Sequence, residues 1–95
     1  MVKFFSDPTE EPEYRAWLTK NADSGYVANR WADGAVVMLH HANCRTLTAN
    51  RYRKTTPQYQ KRCGCSLPEL RSVIKKKWDP EEFRECSWCW KTDRK

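Results

Sequence analysis

The chain has 95 residues and a mass of 11.3 kDa, room for a single domain over residues 1–95 and no second core. Fourteen residues are Leu, Ile, Val or Phe, and at a net charge of +6 that share lies below the roughly 20% under which a chain is suspected of disorder. Five Trp, four Tyr and five Cys point the other way, since rings bury much area and thiolates can hold a metal that contributes folding energy directly.

In chain order, residues 1–9 form an acidic, turn-rich lead-in. Thr9 is placed to cap a helix whose first turn holds Glu10, Glu11 and Pro12, where a missing amide costs nothing. Tyr14, Trp17 and Leu18 fall at i, i+3 and i+4, one apolar face, and Asn21 to Gly25 end the helix. Tyr26 to Trp31 and Ala35 to His41 are predicted strands joined by an Ala32-Asp33-Gly34 turn, a good hairpin signal. Val36, Met38 and His40 share one face of the second strand, and Val37, Leu39 and His41 the other. Two apolar faces predict a central strand. Residues 45–58 are polar, basic and irregular, and Gln58 to Cys65 is a third strand. Ser66 and Glu69 make a capping box with Pro68 in the first turn. Leu70, Val73, Ile74 and Trp78 are the apolar stripe of the helix that follows, with Lys75, Lys76 and Lys77 in its last turn and Asp79-Pro80 as its stop. Phe83 to Trp90 is a short strand running into a Cys-x-x-Cys turn, and residues 91–95 are a charged tail. The expected fold is α+β: a small, mainly antiparallel sheet of about three to four strands with two helices, stapled by one zinc.

No apolar run approaches the roughly 20 residues of a membrane span, and Met1 to Phe5 lacks the apolar stretch of a secretion signal. A cytoplasmic protein with reduced thiols is expected, with no membrane partner, and an odd number of cysteines also fits metal ligation better than a closed disulfide set. The most specific pattern is His40-x3-Cys44 with Cys86-x2-Cys89, four N and S donors of the kind tetrahedral zinc takes. The first pair lies at a strand end where a short turn folds it toward one point. The second sits in a tight turn near the C-terminus, so one ion would cross-link both ends of the domain. Four ligands leave no open position, so the ion is structural. The choice of fourth ligand stays open: Cys63 is the alternative to His40, and His41 and Cys65 are also available. Trp88 and Trp90 flank Cys89 and are expected to shield the thiolates, with Trp17, Trp31 and Trp78 in the core.

The string Tyr14-x2-Trp17-Leu18, Gly25-Tyr26-Val27-x-Asn29, Leu39-His40-x3-Cys44-Arg45-Thr46-Leu47, Cys63-x3-Leu67-x2-Leu70 and Cys86-x2-Cys89 resembles small zinc-binding modules of actinobacteria and their phages, which occur alone or beside nuclease and restriction-type domains. More distantly, His-x3-Cys with Cys-x-x-Cys is similar to the zinc domain of Ada-type DNA repair proteins, whose four cysteines include a methyl-accepting nucleophile. Here His40 stands at the matching position, so only the metal role carries over, to His40, Cys44, Cys86 and Cys89.

Charge is clustered. Residues 1–24 hold three basic and five acidic side chains, whereas 45–77 hold ten basic ones and Glu69 alone against them. A polyanionic partner is expected, nucleic acid with DNA favoured. Arg45, Arg51, Arg53 and Lys54 follow the first ligand pair, and arginine suits bidentate phosphate and guanine contacts. Tyr52 is placed to stack on a base or sugar. Lys61, Arg62, Lys75, Lys76 and Lys77 complete the predicted nucleic-acid-binding set. The alternative is an adaptor for an acidic protein partner, such as a phage protein acting on a host factor. No complete catalytic motif is present. His40-His41 with Asn43 or Asn50 has part of an HNH nuclease signature, but no histidine lies downstream of His41. A non-enzymatic module is therefore expected.

Overall fold

A computed structural model describes residues 2–30, 34–44, 47 and 60–86. The chain is α+β, with two helices and a mixed five-stranded sheet. In chain order the elements are β1 (Lys3–Phe5), a 3-10 turn (Pro8–Glu10), α1 (Glu11–Lys20), β2 (Tyr26–Arg30), β3 (Val36–His41), β4 (Lys61–Gly64), α2 (Leu67–Lys77) and β5 (Glu82–Glu85).

The strand order is β1-β4-β2-β3-β5. The hairpin forms as its sequence predicts, with Tyr26 opposite His41 and Arg30 opposite Val37. Gly34 at the turn has φ 76°, a conformation that glycine takes without Cβ strain. β4 pairs antiparallel with β2 and β1 antiparallel with β4, while β5 pairs parallel with β3. β4 and β5 therefore point the same way with the hairpin between them, and α2 makes the crossover that a parallel return needs. β3 is interior, as its two apolar faces require. β1 adds a strand inside the acidic lead-in, so the sheet exceeds the expected three to four strands.

Alternation along each strand divides the core in two. One face carries Phe5, Val27 and Cys63 under Tyr14 and Leu18 of α1, together with Ala42, Cys44, Leu47 and Cys86. The other carries Ala28, Val37 and Leu39 under Leu70 and Ile74 of α2, with Trp78 and Phe83 packed against them. The helices thus cover opposite faces of one thin sheet, which is how few aliphatic residues suffice. Trp17 and Trp78 are half-buried at the margins.

The N-terminal cap of the first helical segment is Asp7 rather than Thr9. Its carboxylate accepts from the Thr9 amide at 2.9 Å, and Glu10 Oε1 accepts from the Asp7 and Ser6 amides at 3.0 and 2.9 Å. The reciprocal box is the predicted kind of device, shifted by two residues because a 3-10 turn precedes α1. At α2 the expected cap is present, with Ser66 Oγ accepting from the Glu69 amide at 3.4 Å. α2 ends where Asp79 takes φ 43° and Pro80 follows. Of the predicted strand Phe83–Trp90, Glu82 to Glu85 form β5 and residues 87–90 lie outside the described residues, as do Trp31 and residues 58–59.

Candidate metal centre

The ends of β3 and β5 build one buried cluster. Register pairs Leu39 with Glu85, and the Cys86 amide continues the ladder by donating to the Leu39 carbonyl at 2.8 Å. Cys86 therefore stands beside His40 on the neighbouring strand. Past His41 the chain turns back: the Ala42 amide donates to the Gly25 carbonyl at 2.8 Å, and the Cys44 amide to the His41 carbonyl at 3.0 Å. That turn swings Cys44 over the same face as His40. The ligand atoms of His40, Cys44 and Cys86 all lie within 4.8 Å of one another, and all three residues are buried.

This group can hold a metal ion. The two sulfurs are 3.8 Å apart. That is far beyond a disulfide bond of about 2.05 Å, but it is the separation of two thiolates held at about 2.3 Å on one tetrahedral ion. Burial, with the Lys61 ammonium adding to it, pushes His40 down to about 4. The imidazole is therefore neutral at pH 7, the form that ligates a metal. The buried, soft donor set is the kind that selects zinc-like ions over oxygen-loving ones.

Of the other expected donors, Cys89 lies outside the described residues. His41 points to the opposite face, with its ring 5.2 Å from that of Tyr26. Cys63 shares the His40 face but lies two strands away, about 9.6 Å by strand spacing, with Val27 paired to both. Burial pushes its thiol well above the usual range. Cys65 is exposed and donates to Asn21 Oδ1 at 3.3 Å.

The basic residues separate. Arg45, Arg51, Tyr52, Arg53 and Lys54 lie outside the described residues. Lys61, expected on a binding surface, is inside: it is 3% exposed and its Nζ donates to Asn29 Oδ1 at 2.6 Å. Its place in β4 aims it under α1, where burial pushes it down to about 8. Arg62, on the other face, has its guanidinium carbon 4.3 Å from the Phe4 ring centre and 4.9 Å from that of Trp78. Lys75, Lys76 and Lys77 are exposed. Because α2 starts beside the cluster end of the sheet and runs back along it, those lysines sit on the opposite face and at the opposite end from His40.

Two buried polar neighbours of the cluster have no motif to announce them. Asn29 and Lys61 are far apart in sequence and meet only through the β2–β4 register. Tyr14 reads from its spacing as core, and it is fully buried, but it also brings a hydroxyl inside. No helix among the described residues is long and apolar enough to cross a membrane. Comparisons with families of known proteins, with curated proteins and with solved structures give no match.

Proposed function

We propose that the protein is a non-enzymatic zinc module that binds nucleic acid, DNA in the first instance. The observation that carries this reading is the buried His40–Cys44–Cys86 group with its 3.8 Å sulfur separation. Cys89, three residues after Cys86, supplies the fourth ligand of a closed tetrahedral zinc site, whose role is structural. The ion ties the end of the hairpin to the chain after β5. Cys44 is followed at once by Arg45, so the metal also anchors the start of the segment holding Arg45, Arg51, Tyr52, Arg53 and Lys54. Arginines held near a fixed point lose less conformational entropy when they grip phosphates. With Lys61 inside and Lys75 to Lys77 at the far end, residues 45–54 are the main contact surface.

The test is titration of a short duplex at several salt concentrations. Binding weakens steeply with salt, the log–log slope falling by about 0.9 for each phosphate neutralised. The pair Arg51→Ala and Arg53→Ala reduces both affinity and slope. Binding that ignores salt and survives the double substitution contradicts the reading.

One observation favours the adaptor alternative. Phe4, on the edge strand β1, is 41% exposed beside Arg62 and Trp78. A complex with an acidic protein that tolerates salt and is lost with Phe4→Ala would place the function there.

A further inference from the structure

Tyr14 presents a problem that packing does not solve. The residue is fully buried beneath α1, its ring tilted on Phe5 with centres 5.6 Å apart. Its hydroxyl has no hydrogen-bond partner among the described residues. A buried hydroxyl left unpaired costs about 1–3 kcal/mol, and phenylalanine would fill the same volume without that cost. The neighbouring buried donor, Lys61, is satisfied by Asn29. Tyr14 lies in the same core cluster as Cys44, Cys63 and Cys86. Burial, then Cys63, then Glu11 and, more weakly, Cys44 push its ionisation above the usual range, so it is a proton donor at neutral pH. The acceptor it lacks is therefore to be sought among these sulfurs. A thiol is a weak acceptor, whereas a thiolate is a strong one. Cys63 stays a thiol because burial opposes its ionisation. Cys44 becomes a thiolate once it ligates a metal.

We infer that Tyr14 is a positioning residue of the metal centre, its hydroxyl donating a hydrogen bond to the metal-bound thiolate of Cys44. The inference rests on the metal site proposed above. The bond would hold the sulfur in place and draw electron density from it, as partners outside the ligand set do in other metal sites.

The test compares wild type, Tyr14→Phe and, as a control on the opposite face, Tyr26→Phe, each loaded with Zn(II) or Co(II) and titrated with a chromophoric chelator. Tyr14→Phe is expected to take one ion with unchanged circular dichroism, but to hold it about tenfold more weakly. Its thiolate-to-cobalt charge-transfer band moves to lower energy, because the sulfur is more electron-rich. Tyr26→Phe matches wild type. Equal affinity and superimposable bands for Tyr14→Phe overturn the inference and leave the metal site standing. A wild-type chain that binds no metal overturns the site itself. A measurement on the unsubstituted protein is independent of how the variant folds: in the zinc-loaded chain the Tyr14 hydroxyl proton shows a nuclear Overhauser contact to the Cys44 β-protons. Absence of that contact overturns the inference as well.

Discussion

His40 carries the pH behaviour of the domain. In the folded chain burial holds it neutral down to about 4, while in the unfolded chain it takes a proton near 6.5. Between those values the unfolded state binds more protons, so stability falls as pH drops from 6.5 toward 4, by on the order of 3 kcal/mol. Protons also compete with the metal for the same nitrogen, which acts in the same direction. Denaturant unfolding at pH 7, 5.5 and 4.5 checks this, and His40→Gln should flatten the dependence. Cys86→Ala removes a sulfur that no described residue can replace, since Cys63 lies two strands away. The expected result is complete loss of tight metal binding by atomic absorption after dialysis. Cys65→Ala, which changes an exposed thiol, leaves one ion per chain. Of the cluster, His40, Cys44 and Cys86 are legible in the sequence because a strand end, a turn and a ligand spacing are all local signals. Lys61 is not legible. A lysine among other basic residues reads as surface, and its burial depends on Asn29, which only tertiary register brings alongside.

Elements follow the same division. α2 is marked at both ends, by Ser66 as cap and by Asp79-Pro80 as stop, with a regular apolar stripe between, and it forms as predicted. The hairpin is equally plain, because an Asp-Gly turn joins two apolar strands. β1 is hidden because three residues are too few for an alternation to register, and it forms only by pairing with β4. The parallel place of β5 is hidden too. Glu82, Arg84 and Glu85 look unlike a buried strand, yet β5 is an edge strand with one face in solvent, where Arg84 pairs with Glu82 and Arg71 with Glu85. One consequence is testable at α2. Asp79 takes a left-handed conformation that costs a side chain up to about 1–2 kcal/mol, less for Asp than for most residues. Asp79→Gly should therefore raise the melting temperature, corresponding to roughly 0.5–1 kcal/mol. Thermal unfolding checks this, and a lower melting temperature would show that the aspartate stabilises the helix end by some other contact.

Over the whole molecule, the shortage of aliphatic side chains is met by geometry and chemistry together. A thin sheet lets two short helices each bury one stripe on its own face, and aromatic rings close the margins. At the open end of that sheet three buried donors from distant parts of the chain converge. A metal there would contribute on the order of 10 kcal/mol, comparable to the whole stability of a small domain. The charge follows the same plan. Of the ten basic side chains between 45 and 77, Lys61 is internal and Arg62 is stacked on rings, which leaves the segment after Cys44 as the concentrated basic feature next to the metal end. The most direct test of this account is native mass spectrometry of the purified chain with and without a strong chelator, followed by circular dichroism on both samples. The account predicts one zinc per chain and loss of folded structure when it is removed. A chain that carries no metal, or one that keeps its structure and melting temperature after chelation, would contradict it.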